Sequence, residues 1–190
     1  FGGLLAAGGN SRADEASARF PLQAVDNTRL AYVVTGDTDG DRTSLAGLHG
    51  LSEVLADRTA LEPGDPIGVD PAKDELAFFP LLYWPVVADA PVPSSATMAR
   101  IDAYMRQGGS VLFDTRDQLE RSTTTNTLSG TPAVERLRQM LSSLDVPPLE
   151  PVPADHVLTK AFYLLNDFPG RYAGGPLWVE ASDTEERADR

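Results

Sequence analysis

The residues best placed to do chemistry in this chain are aspartates at the ends of two apolar runs. Asp37, Asp39 and Asp41 alternate along Thr35-Gly36-Asp37-Thr38-Asp39-Gly40-Asp41. Oxygen ligands at alternate positions are how a calcium loop opens. An EF-hand also needs glycine at loop position six and a bidentate glutamate at position twelve, and Arg42 and Leu48 stand there instead. The EF-hand reading therefore fails. What remains is a looser divalent-cation site formed by Asp37, Asp39 and Asp41 and completed by Asp114 or Asp117. The plain alternative is a solvated loop capping a helix, where carboxylates favour the positive dipole end.

The second cluster is Asp114-Thr115-Arg116-Asp117, which follows Ser110-Val111-Leu112-Phe113. If the two apolar runs are neighbouring strands, both acidic turns share one rim. Carboxylates gathered there could hold a cation or exchange protons. Arg116 has a structural alternative, an internal ion pair with Asp117 or Asp37. A further cation, Arg171 in Phe168-Pro169-Gly170-Arg171-Tyr172, could clamp an anion or carboxylate. The ligand-binding set is thus Asp37, Asp114, Arg116, Asp117 and Arg171.

Other chemistries lack their parts. The chain has no cysteine, which removes disulfides, thiolate metal sites and cysteine nucleophiles. Its two histidines, His49 and His156, are far apart in sequence. Asp155-His156 invites a triad reading, but adjacent residues rarely face each other and no Gly-x-Ser-x-Gly elbow supplies a serine. His156 reads as a loop histidine bonded to backbone, and His49 as a helix-surface or satisfied core group. Gly174-Gly175 lacks the strand-to-helix setting of a phosphate loop. No catalytic set is complete, so the reading leans away from an enzyme.

The elements that would position the aspartates follow from hydrophobic periodicity. A strand is predicted over 29–35, then a helix over 42–57 with Leu45, Leu48, Leu51, Val54 and Leu55 at helical spacing and Asp41 or Thr43 as its N-cap. Ile67-Gly68-Val69 is a short strand. Leu76-Ala77-Phe78-Phe79 reads as a central strand buried on both faces, and Leu81-Leu82-Tyr83-Trp84-Pro85 as an aromatic loop or edge segment. Ser94-Ser95 caps a helix over 95–107 that ends at Gly108-Gly109 through a left-handed C-cap. Residues 110–113 form the next strand. Thr131-Pro132 opens a third helix, with Val134, Leu137, Met140, Leu141 and Leu144 on its buried face. Leu177-Trp178-Val179-Glu180 is a short strand. Strands alternating with helices give an α/β three-layer sandwich with a mostly parallel central sheet.

Composition sets the class of partner. At 190 residues and 42% apolar content the chain suits one globular domain. We read residues 1–28 as a linker or juxtamembrane segment and 29–190 as a single α/β domain, frayed near 181–190. The net charge of −12 argues against nucleic acid, whose binding rests largely on Lys and Arg, and disfavours direct contact of the α/β domain with an anionic membrane. The apolar start Phe1–Gly9 is shorter than the about 20 residues a spanning helix needs.

Several segments, in order, resemble one bacterial family. They are Leu30–Asp37, Arg58–Gly64, Glu75–Pro85, Phe113–Asp117 and His156–Glu180. The family is the domain of unknown function numbered four-one-five-nine. The resemblance implies a flavodoxin-like, class I glutamine-amidotransferase-like fold. It implies a place at the carboxyl end of a larger membrane-anchored protein with a BatA-like amino-terminal region, the soluble domain favoured on the extracytoplasmic side. Members continue past the position of Arg190, which leaves room for a missing final strand and helix. Amidotransferase relatives carry a nucleophilic cysteine after a central strand. The matching turn here is Asp114-Thr115-Arg116, so that chemistry does not carry over.

The expectation is a non-catalytic ligand-binding or protein-interaction domain without an obligate cofactor. Its partners would be other domains of the same membrane protein or partner proteins, met at the acidic rim and at an exposed aromatic patch around Tyr83 and Trp84. The alternative is a divalent-cation-dependent hydrolase using the aspartates.

Overall fold

A computed structural model of the chain describes residues 27–117, 131–153, 156–160, 164 and 177–181. Contacts divide the chain into two compact units, residues 1–144 and 145–190.

The first unit is built on four parallel strands. These are β1 (Ala31–Val33), β2 (Ile67–Val69), β3 (Leu81–Pro85) and β4 (Ser110–Asp114), in the order β2-β1-β3-β4. Helix α1 (Thr38–Arg58) links β1 to β2, and α2 (Ser95–Arg106) links β3 to β4. Helix α3 (Pro132–Leu141) follows β4. The sheet with helices on its faces is the α/β architecture expected, consistent with a three-layer flavodoxin-like sandwich.

One sheet face holds the main core. Ala31, Val33, Val69, Leu82 and Trp84 are buried there with Met98, Ile101 and Tyr104 of α2 and Met140 of α3. Strand residues of opposite parity point the other way. Tyr32 pairs in register with Tyr83, and Tyr83 with Leu112, so these three form one row across the sheet. Helix α1 lies against β1, β2 and β3, and its one large buried side chain, Leu48, stands outside the main core cluster. The helix therefore covers the tyrosine face.

The buried stripe of α1 is Gly40, Ser44, Leu48 and Ser52, an i, i+4 row of mostly small residues. Leu45, Leu51 and Val54 of the predicted apolar set are exposed instead. A sheet face filled by tyrosines leaves room only for a close-packed helix with small side chains.

The helix ends follow local rules. Ser94 accepts from the Thr97 N–H at 3.1 Å and Thr131 from the Val134 N–H at 3.3 Å, with Pro132 in the first turn of α3. Helix α2 ends in a Schellman pair: Gly109 N–H donates to Tyr104 O and Gly108 N–H to Met105 O, both at 3.0 Å, with Gly108 at φ +97°.

Two expectations are corrected. The central strand is Leu81–Pro85, whereas Leu76–Phe78 is a turn of 3₁₀ helix whose start is capped by Glu75, accepting from the Ala77 N–H. Pro80 precedes the strand and Pro85 ends it, so neither missing N–H interrupts the ladder. Helix α1 also starts four residues earlier than predicted, at Thr38, and absorbs most of the acidic turn.

In the second unit, β5 (Leu149–Pro151) pairs antiparallel with β6 (Trp178–Glu180), and Val157–Thr159 is a 3₁₀ turn. His156 sits at that turn, where its carbonyl accepts from the N–H and the hydroxyl of Thr159.

Candidate functional site

In an open parallel sheet, ligands bind outside the carboxyl ends of the strands, where the strand order reverses. Here the chain runs from β1 outward to β2, then crosses back to β3 on the other side of β1. The reversal lies between the ends of β1 and β3. All the predicted rim residues that the structure describes stand along this carboxyl edge.

The acidic turn is shaped by its own hydrogen bonds. Asp41, in the first turn and a half of α1, reaches back to the strand end. One carboxylate oxygen accepts from the Thr35 N–H at 2.9 Å and the Thr35 hydroxyl at 2.8 Å, and the other from the Gly36 N–H at 3.1 Å. Gly36 takes φ +82°, a left-handed conformation that glycine adopts without strain. Asp39 turns to Arg42 at 2.9 Å, and Asp37 to Arg116. The three aspartates thus face three different partners. Among the described residues, no group of three or more His, Asp or Glu side chains is placed to hold a metal ion.

Strands β1 and β4 are not neighbours, because β3 lies between them. A side-chain relay spans the gap. The Tyr83 hydroxyl, from β3, donates to Asp114 Oδ2 at 2.7 Å, and Asp114 Oδ1 accepts from the Arg116 N–H at 2.9 Å. Arg116 is held at φ +53° and its guanidinium comes within 3.8 Å of Asp37. Gly40 makes that approach possible. A Cβ there would meet Asp37 Oδ2 at 2.6 Å and Arg116 Nη1 at 3.1 Å. Burial, and then the bond to Asp114, push the Tyr83 phenol up to about 12. Asp117 is turned inward, accepting from the hydroxyls of Thr115 at 2.7 Å and of Thr131. Of the two structural pairings open to Arg116, the one formed is with Asp37.

Between the ends of β1, β2 and β3 lies a crevice of about 250 Å³. Its walls are mainly apolar and include Val33, Trp84, Val86, Pro91 and Met140, with Asp70 and Arg136 among its polar residues. Asp70 is occupied. It pairs with Lys73 at 2.8 Å and accepts from the Ala72 N–H at 2.9 Å, and these contacts hold its carboxyl below the ordinary aspartate range. Arg136, on α3, donates from Nε to Ala88 O at 3.1 Å and from Nη1 to Gln139 Oε1 at 3.3 Å. A second depression of about 450 Å³, lined by Asp89, Arg116 and Asp117, flanks the 86–88 segment on the β4 side. A hollow of about 460 Å³ at the opposite edge of the sheet, around Thr28, Pro80 and Gly108, lies at the amino ends of β3 and β4, away from the switch point.

The expected exposed aromatic patch is absent. Trp84 is buried, its ring tilted against that of Phe113 with centroids 5.6 Å apart, and Tyr83 is half-buried with its hydroxyl committed to Asp114. Arg171 lies outside the described residues, as does Asp155. His49 is a helix-surface residue, 3.5 Å from Glu53. Arg136 was not singled out by sequence reasoning. Its place at the crevice depends on how α3 packs back across the sheet, and no local pattern encodes that.

The family model described as "Domain of unknown function (DUF4159)" matches residues 29–190, and the chain belongs to that family. No curated protein matches it.

Proposed function

We propose that this member of the DUF4159 family is a non-catalytic binding domain whose ligand enters the crevice at the β1/β3 switch point. The observation that carries this reading is the crevice itself. It combines an apolar interior with a few polar groups, at the edge where open parallel sheets recognise ligands. The rim serves it as a wall. Asp37, Asp114, Arg116 and Tyr83 satisfy one another, which fixes the strand ends rather than offering open valences. The same internal satisfaction argues against general acid–base work at these carboxylates, so binding is favoured over hydrolysis.

The setting we propose is the one the family resemblance implies: a domain of a membrane-anchored bacterial protein, with an amidotransferase-like ancestry and neighbouring domains as partners. Among the described residues, no helix is long and apolar enough to cross a membrane.

Trp84 provides the test, since it lines the crevice and the chain's other tryptophan is Trp178. In a Trp178→Phe variant, small molecules spanning acids, bases and neutral compounds are titrated against tryptophan emission. A saturable change that is lost when Val33 is enlarged to Phe is expected. No saturable response from any class would overturn the reading.

A further inference from the structure

The crevice has a charge preference written into one residue. Arg136 carries five N–H donors in a planar fork. Its protein contacts use Nε, on Ala88 O, and one Nη1 hydrogen, on Gln139. Nη2 and the other Nη1 hydrogen have no partner among the described residues, and no carboxylate pairs with this arginine there. Arginines elsewhere in the described unit are committed differently, apart from Arg58, which is exposed at the end of α1. Arg42, Arg106, Arg116 and Arg138 face aspartate or glutamate, and Arg100 donates to the backbone carbonyls of Pro71 and Asp74. Arg136 is half-buried at an apolar crevice, with its stem fixed by Ala88. A fixed guanidinium with open donors beside apolar walls matches a planar anion attached to an apolar body.

We infer that the ligand is a small monocarboxylate with an apolar body, its carboxylate on the Nη edge of Arg136 and its body against Val33, Trp84 and Met140. This rests on the crevice being the binding site. A carboxylate suits the site better than a phosphate for two reasons. One guanidinium balances one negative charge, and the Asp70 carboxylate lining the same crevice repels a dianion more strongly than a monoanion. A volume of about 250 Å³ lies below the usual range for drug-sized ligands, so the body is a single ring or a short branched chain.

The test uses the whole chain and two matched probes, 3-phenylpropanoate and its neutral amide, followed by NMR on the Val33, Val86 and Met140 methyl groups and the Arg136 Nε–H. The acid is expected to shift these signals saturably and to bind at least about tenfold more tightly than the amide, the usual worth of a charged hydrogen bond. Arg136→Gln should bring the acid down to the affinity of the amide. Equal binding of acid and amide to the unaltered chain would overturn the carboxylate assignment while leaving the crevice reading intact. That comparison needs no variant, so a folding defect in Arg136→Gln cannot obscure it. If phenyl phosphate outcompetes the acid, the anion is a phosphate and the assignment also fails. If no probe of any charge shifts the crevice methyl groups, the crevice reading falls with it.

Discussion

At the scale of single residues, the acidic turn is an architectural device. Asp41 accepts three hydrogen bonds from Thr35 and Gly36, tying the start of α1 to the end of β1. Removing it leaves two backbone N–H groups and a hydroxyl to find water. Asp41→Ala should cost about 1–3 kcal/mol, read from denaturant unfolding. Asp39→Ala, which loses only an exposed pair with Arg42, should cost less than about 0.5 kcal/mol. An equal cost for both would contradict this division of labour. The same geometry bears on metals. A cation saturating a real site a hundredfold would add about 2.7 kcal/mol, whereas at constant ionic strength Mg²⁺ or Ca²⁺ should leave the melting temperature essentially unchanged, because the three carboxylates are dispersed among Thr35, Gly36, Arg42 and Arg116. Tyr83 gives a pH signature. Its folded pKa is raised to about 12 from 10.0, so its contribution is complete below pH 10 and disappears as pH climbs towards 12. The stability gap between the unaltered chain and Tyr83→Phe, about 1 kcal/mol near neutral pH, should therefore close across that window. Tyr104 is also raised, by burial, but is present in both proteins and cancels. A gap that stays constant to pH 12 would show that the phenol makes no such bond.

At the scale of elements, what was legible in the sequence was what local chemistry decides. The caps at Ser94 and Thr131-Pro132 and the glycine stop at Gly108-Gly109 each depend on residues within one turn, and each stands where the sequence places it. What was not legible depends on distant partners. Leu76–Phe79 and Leu81–Pro85 are both apolar and both touch proline, and only pairing with β1 and β4 makes the second the central strand. The start of α1 was obscured because Asp41 looks like an N-cap but bonds backward from inside the helix. The small-residue stripe of α1 was hidden because its reason, the tyrosine face, comes from β1 and β3. Gly109 shows how tightly such contacts are set. A Cβ there would meet Tyr104 ring atoms at 2.2 Å, and that ring is buried with its hydroxyl donating to Phe79 O at 2.9 Å. Gly109→Ala should therefore destabilise by about 3 kcal/mol, at the upper end of overpacking costs. Gly47→Ala, whose Cβ meets open space within a helix, should stabilise by about 0.5–1 kcal/mol. Thermal or denaturant unfolding of the two variants should give opposite signs, and the same sign for both would refute the packing described.

At the scale of the whole molecule, charge and topology act on the crevice together. That a crevice would lie at the strand ends was legible in the sequence, because alternating strands and helices put loops at a carboxyl edge. The presence of Arg136 in its wall was not, because that residue arrives on a helix whose packing no spacing rule foretells. The surrounding field is negative. Asp and Glu number 28 against 16 Lys and Arg, a difference of 12, and several of the ion pairs are exposed i, i+3 or i, i+4 contacts worth little each. Self-repulsion of the folded chain then outweighs local attraction. Raising ionic strength from about 0.01 M to 0.15 M shortens the screening length from about 30 Å to 8 Å, which removes long-range repulsion while sparing contacts of 3–4 Å. The melting temperature should therefore rise with salt over this range. A fall would mean that the ion pairs, Arg116 with Asp37 among them, dominate the balance. The same field opposes the approach of any anion to Arg136. Association of 3-phenylpropanoate should accordingly speed up with salt over that range. Dissociation, governed by the short contact with the guanidinium, should change much less, a contrast that relaxation-based NMR can resolve.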